Sequence, residues 1–210
     1  MKIAIIDYGM GNLFSVEQAV LRLGCEAIVS ANPQELLQAD ALILPGVGAF
    51  TDAYTCLEQT GLKEVVEQAV AKETPLLGIC LGMQLLFESS EENGQHKGLG
   101  IFKGHIRRFD DKKARVPHMG WNELNFTNTA EWLAKENLTD RYVYFVHSYV
   151  ATDFAEEQLI AYADYAEVRV PGIVQKGHVT GMQFHPEKSG SCGATLLQGW
   201  VNQLKVEVAK

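Results

Sequence analysis

Thr74-Pro75-Leu76-Leu77-Gly78-Ile79-Cys80-Leu81-Gly82-Met83-Gln84-Leu85-Leu86 reads as a buried strand, a sharp turn and a helix. Leu76, Leu77 and Ile79 form the short apolar run of a central strand in a parallel sheet. Met83 to Phe87 is apolar and helix-compatible. Cys80 lies between, with Gly78 before it and Gly82 after it, the G-x-nucleophile-x-G spacing of a nucleophile elbow with Cys in the place of Ser. Such a turn is strained, and its glycines let neighbouring backbone approach closely. The N-terminus of the following helix favours thiolate over thiol. A lone G-x-C-x-G is equally a small buried cysteine in a turn, so the rest of the chain has to decide.

Upstream, Ile3 to Ile6 form a first buried strand, followed by the turn Asp7-Tyr8-Gly9-Met10-Gly11-Asn12. Leu13, Val16, Val20 and Leu23 make a helical stripe, and Gly24 suits its C-terminal end. The turn is not G-x-G-x-x-G, so a dinucleotide site is excluded. Glu26–Ser30 reads as a strand, Asn32–Gln38 as a brief helix and Ala41–Leu44 as a third strand ending in Pro45-Gly46-Val47-Gly48. Helices are expected near Asp52–Gln59 and Leu62–Lys72. Alternating strands and helices imply an α/β fold, a mixed but mainly parallel central sheet flanked by helices. Ligand sites in such sheets lie at the carboxyl ends of strands, where Gly9–Asn12, Pro45–Gly48 and Cys80 all fall.

Downstream the pattern changes. Ser89–Gly98 is polar and reads as a surface loop. Short strands are expected through Ile101, Lys103 and Ile106, and through Trp121, Glu123 and Phe126. Further strands are expected at Tyr142–Val146, Leu159–Ala163, Val168–Val170 and Val179–Phe184, with a closing helix over Thr195–Leu204. The 210-residue chain suits one domain with a sizeable core. Its net charge of −8 argues against nucleic acid as a partner. No stretch has the length of a membrane span, and Asp7 interrupts the first apolar run, so neither membrane nor signal peptide is expected. Cys25, Cys56, Cys80 and Cys192 form no C-x-x-C pair or metal spacing. Reduced thiols in the cytoplasm are expected, with no metal.

A cysteine nucleophile needs a base and a group to orient it. Of six histidines, His185 has the most suggestive surroundings, a strand before it and Glu187 two residues on. In extended backbone both side chains project to one side, and Pro186 favours that conformation. A carboxylate beside an imidazole fixes its tautomer. His105 and His178 read as structural and His96 as solvated. The N–H of Leu81 would serve a developing oxyanion, with a second donor from Gly46, Val47 or Gly48. Each of these segments, alone, is also an ordinary turn.

Taken together, Pro45-Gly46-Val47-Gly48, Gly78 to Gln84 and His185-Pro186-Glu187-Lys188-Ser189 resemble the class I, triad-type glutamine amidotransferases in order and spacing. Asp7 to Asn12, Pro117-His118-Met119-Gly120-Trp121-Asn122 and Tyr144-Phe145-Val146-His147-Ser148-Tyr149 narrow the resemblance to the glutaminase subunits of imidazole glycerol phosphate synthases. The resemblance spans the chain and implies one glutamine amidotransferase domain over residues 1–210. It implies a triad of Cys80, His185 and Glu187, and glutamine-binding positions at Gly48, Gln84, His147, Ser148 and Tyr149. It implies no cofactor. The implied partner is a cyclase subunit, a phosphate-binding (β/α)8 barrel, contacted through Trp121, Tyr144 and Lys188. The cyclase would use the released ammonia to make imidazole glycerol phosphate and aminoimidazole carboxamide ribotide in histidine biosynthesis. The glutaminase is then expected to be off when alone, with Pro45–Gly48 as the candidate gate. Core packing accounts equally well for His147, Tyr149, Trp121 and Tyr144. Three other readings compete: a glutaminase for a different synthase, a silent binding module of the same fold, and a cysteine peptidase or esterase.

Overall fold

Period-two alternation along the first strands decides how the layers stack. In the computed structural model, which describes residues 1–127, 132–133 and 138–208, β1 (Lys2–Ile6), β2 (Glu26–Ser30), β3 (Ala41–Leu44) and β4 (Leu76–Ile79) pair in parallel. Ile3, Ile5, Ile43, Leu77 and Ile79 point to one side, against Val16 and Val20 of α1 (Leu13–Arg22). Ala4, Ile6, Leu42, Leu44 and Leu76 point to the other. There they meet α2 (Pro33–Leu37), α3 (Phe50–Gln59) and α4 (Leu62–Ala71) through Leu36, Leu57, Leu62 and Val66. Both faces are covered, so these strands carry no polar alternation.

α5 (Leu81–Leu85) begins at the residue after Cys80 and is one turn long. The chain then forms β5 (Ser89–Ser90), β6 (His96–Lys97), β7 (His105–Arg108), β8 (His118–Glu123), β9 (Asn125–Phe126), β10 (Tyr142–His147) and β11 (Tyr149–Thr152). β12 (Leu159–Tyr165), β13 (Val168–Lys176), β14 (Val179–Met182) and α6 (Gly190–Val208) complete it. The main sheet has eight strands in the order β2-β1-β3-β4-β14-β13-β12-β9. β14 runs parallel to β4, and β13, β12 and β9 are antiparallel to their neighbours, so the sheet is mixed and mainly parallel. α6 covers the α1 side with Leu196, Trp200 and Val201.

Four expectations are corrected. Ser89–Gly98 is not a plain loop: it supplies β5 and β6 to a small sheet ordered β11-β7-β5-β6. No strand runs through Ile101 to Ile106. Gly104, at φ +111° with the Thr152 carbonyl 2.5 Å from where a β-carbon would sit, turns the backbone, and β7 starts after it. Trp121 and Phe126 belong to different sheets, because β8 pairs with β10 while β9 joins β12. Val168–Val170 is the start of a strand that continues to Lys176.

Candidate active site

β4 delivers Cys80 to the carboxyl edge of the sheet, beside the end of β14, where the Cys80 N–H donates to the Met182 carbonyl at 2.7 Å. Cys80 adopts φ 54° and ψ −111°, a strained conformation for a side-chain-bearing residue. Only a glycine fits two residues on: a β-carbon on Gly82 would lie 1.9 Å from the Leu44 carbonyl oxygen. β3 and the elbow therefore pack backbone to backbone, which sets Pro45–Gly48 beside the sulfur. Gly46 is held as tightly, with Gly82 N and the Tyr8 hydroxyl each 2.8 Å from a β-carbon built there. The Tyr8 hydroxyl donates to the Pro45 carbonyl at 2.7 Å. Burial, chiefly, raises its pKa well above the ordinary phenol range, so it stays a donor.

His185 follows β14. Its Nδ1 donates to Glu187 Oε1 at 2.8 Å, and the ring lines the same cavity as Cys80. With Nδ1 committed to the carboxylate, Nε2 is the nitrogen left for the sulfur. The expected pairing is present, but its reason is different. Pro186–Lys188 is a 3-10 turn rather than extended chain, so Glu187 curls back onto the ring. Both side chains are almost fully buried. Burial lowers the imidazole pKa, but the interactions with Cys80 and Glu187 outweigh it and raise it to about 9. At neutral pH the ring is a cation between the Cys80 sulfur and the Glu187 carboxyl group. Glu187 Oε2 is buried with no hydrogen-bond partner among the described residues.

A cavity of about 350 Å³ opens over the sulfur, lined by Val47, Gly48, Cys80, Leu81, Gln84, Glu92, Pro117, Val146, His147, Ser148, Tyr149 and His185. The expected glutamine positions Gly48, Gln84, His147, Ser148 and Tyr149 are all in this wall. Their free atoms are fewer than their names suggest. Gln84 Nε2 donates to the Tyr149 carbonyl at 3.1 Å and to Gln183 Oε1 at 3.0 Å. His147 Nδ1 donates to the same Tyr149 carbonyl at 2.7 Å, while its Nε2 is 2.9 Å from His118 Nδ1. Burial pushes the His147 pKa down to about 3, so the ring is neutral and Nε2 accepts from His118. His147 thus braces the wall with both nitrogens.

Glu92 escaped the sequence reading because it sits in the polar stretch taken for a loop. Its carboxylate caps α3 by accepting from the Phe50 N–H at 2.8 Å and faces the cavity. Gly46 and Glu187 lie just behind the wall, in a crevice shared with Asn12, Pro45 and His185.

Trp121, Tyr144 and Lys188 are outside the cavity. β8 and β10 pair with Trp121 opposite Tyr144, the ring centroids 6.0 Å apart. Met119, Trp121 and Tyr142 are exposed on the outer face of this ribbon. Lys188 is exposed as well. Two bonds join the ribbon to the His185 turn, and a third closes the turn on itself. The His185 N–H donates to the Tyr144 carbonyl at 3.0 Å, the Tyr144 N–H donates to Ser189 Oγ at 2.9 Å, and that hydroxyl donates to the His185 carbonyl at 2.7 Å.

Among the described residues, no cluster of three His, Cys, Asp or Glu could hold a metal ion, and no helix is long and apolar enough to cross a membrane. A buried cysteine and a cationic imidazole in a cavity wall, with an orienting carboxylate behind them, are equipped for acyl transfer through a thioester.

Comparison with known proteins agrees with that chemistry. Residues 4–202 match the family model for glutamine amidotransferase class-I. The imidazole glycerol phosphate synthase subunit HisH of Bacillus subtilis (strain 168) is 52% identical over 200 residues, covering 93% of both chains. That of Geobacillus thermodenitrificans is 50% identical over 204 residues, 95% of this chain and 94% of the relative. Among solved structures, a crystal structure of glutamine amidotransferase superposes with a TM-score of 0.73 at 20% identity, covering 97% of this chain and 98% of that one. The Trypanosoma brucei CTPS glutaminase domain with bound acivicin gives 0.63 at 18% identity, over 100% and 94% of the two chains. By sequence over nearly its whole length, and by fold, the chain belongs to the class I glutamine amidotransferases, and among them to the family of HisH subunits of imidazole glycerol phosphate synthase.

Proposed function

We propose that the chain is the glutaminase subunit of an imidazole glycerol phosphate synthase, acting as one catalytic domain over residues 1–210. Residues 128–131, 134–137 and 209–210 of that span lie outside the described residues. The observation that carries the reading is the line from Cys80 and His185 in the cavity wall to Glu187 behind it. The Cys80 thiolate attacks the side-chain amide carbon of glutamine. The oxyanion that forms is met by the Leu81 N–H at the start of α5 and by an N–H of the Gly46–Val47–Gly48 segment. His185, protonated at neutral pH, gives its proton to the departing nitrogen, so ammonia leaves and a γ-glutamyl thioester remains. His185 then takes a proton from water. The resulting hydroxide adds to the thioester carbon, and expulsion of the thiolate releases glutamate. Glu187 holds the imidazole in the required tautomer throughout.

The substrate's α-ammonium finds a counter-charge in Glu92. Gln84, with its N–H groups spent, offers its carbonyl oxygen. The backbone of Ser148 and Tyr149 forms the opposite wall.

The partner is the cyclase subunit, in a heterodimer that docks on the exposed face bearing Met119, Trp121 and Tyr142, with Tyr144 and Lys188 beside it. Met119 is opposite Val146 in the ribbon, and Val146 lines the cavity, so this face runs on into the cavity wall. That continuity suits passage of ammonia to the cyclase without escape into water. Histidine biosynthesis in the cytoplasm is the setting this role requires.

The test is steady-state glutamine hydrolysis by the chain alone, with purified cyclase, and with cyclase plus its nucleotide ligand. Activity should rise across the three arms. Cys80→Ala should abolish it in all of them while the complex still makes product from added ammonia. Substantial hydrolysis by Cys80→Ala would sink the assignment.

A further inference from the structure

Two buried amides behind the nucleophile have orientations fixed by their neighbours. A backbone carbonyl can only accept, so the Gln84 atom 3.1 Å from the Tyr149 oxygen is its NH2 group. The same nitrogen is 3.0 Å from Gln183, which must therefore present its oxygen there. The other end of the Gln183 amide is then the NH2 group, and it points at Cys80 Sγ, 3.9 Å away. Gln183 is 1% exposed and Gln84 5%, so water does not compete for these groups. A carbonyl on β11 thus sets the polarity of a donor aimed at the sulfur two side chains away.

We infer that Gln183 is a further catalytic residue, whose amide N–H donates to the Cys80 sulfur and holds it as thiolate. The inference rests on the reading of Cys80 as nucleophile. It gives the sulfur two donors of different kinds. His185 is a cation that must surrender its proton to the leaving nitrogen. Gln183 is neutral and gives up nothing, so it faces the sulfur unchanged through both half-reactions, while His185 loses its proton to the leaving nitrogen and regains one from water. A hydrogen bond to the charged form of a group favours that form. Tyr8 and His185 also act electrostatically on Cys80, and neither changes on substitution of Gln183.

The experiment alkylates Cys80 with iodoacetamide and follows the modified peptide by mass spectrometry, in wild type and Gln183→Met. Methionine keeps the length and removes the donor. At about pH 7 the variant should react roughly threefold to tenfold more slowly. At about pH 10, where the thiolate forms without help, the two rates should agree within about twofold. Circular dichroism and Tm establish that the variant is folded; if it is not, Gln183→Leu takes its place in the same assay. A wild-type rate at neutral pH in a folded variant overturns the inference. So does an equal loss at both pH values, which marks a packing role alone. Iodoacetamide needs no glutamine site, so failure here is separable from failure of the glutaminase reading, which shows as absent glutamine hydrolysis in the wild-type complex.

Discussion

At φ 54° the β-carbon of Cys80 crowds its own backbone, and conformations of this kind carry about 1–3 kcal/mol of strain. Alanine keeps that β-carbon and glycine removes it. Cys80→Gly is therefore expected to be more stable than Cys80→Ala by about 1 kcal/mol, although glycine normally loses to alanine through unfolded-state entropy. Urea denaturation of the two inactive variants measures this, and an alanine variant equal to or above glycine would show that the elbow is unstrained. Of the three buried histidines, His185 acts on the alkaline side of the pH range of stability, and His147 and His118 on the acid side. His185 has its folded pKa raised to about 9, so its contribution is complete below the unfolded value near 6.5 and is lost as pH rises through about 9. His147 has its folded pKa lowered to about 3, so the unfolded chain binds the extra proton, and stability falls as pH drops below about 6.5. His185→Gln should flatten the alkaline limb of a Tm profile and His147→Gln part of the acid limb, the remainder belonging to His118, whose pKa burial also lowers, and each variant should leave the other limb in place. Cys80, His185 and Glu187 were legible in the sequence because each sits in a short motif. Gln183 was not, because its partners are 99 and 103 residues away, and nothing local tells its amide which way to face.

At the scale of elements, the turn after β14 places the base, and Ser189 ties that turn to β10. Removing its hydroxyl leaves the Tyr144 N–H and the His185 carbonyl without that partner. Ser189→Ala should lower stability by about 1–3 kcal/mol and lower kcat for glutamine hydrolysis several-fold more than it raises KM. A variant with kcat intact and only Tm reduced would make Ser189 a purely structural latch. β1, β3 and β4 could be read directly because burial on both faces writes itself as apolar runs. β5 and β6 could not: each is two residues long, and Ser89, His96 and Lys97 carry no β signal. β5 is a strand because β7 offers it an edge, and β6 because β5 offers the next one. The pairing of His185 with Glu187 was legible for an incorrect reason, since proximity in sequence survives a change from extended chain to 3-10 turn.

For the whole molecule, the candidate site and the proposed docking face are two surfaces of one ribbon. β8 and β10 alternate so that His118, Val143, Phe145 and His147 face inward while Met119, Trp121 and Tyr142 stay exposed. A large aromatic at the centre of such a face is a typical anchor, and Trp121→Ala should weaken the complex with the cyclase by about 2 kcal/mol or more. Titration calorimetry reads this directly, and unchanged affinity would move the interface elsewhere. Tyr144 belongs to both surfaces in different ways. Its ring faces Trp121 beside the docking surface, but its hold on the His185 turn is made by main-chain N–H and C=O alone. Every amino acid except proline supplies both groups. The side chain at this position is thus free to follow a changing partner over evolutionary time, and the grip on the catalytic base passes unaltered through each such change.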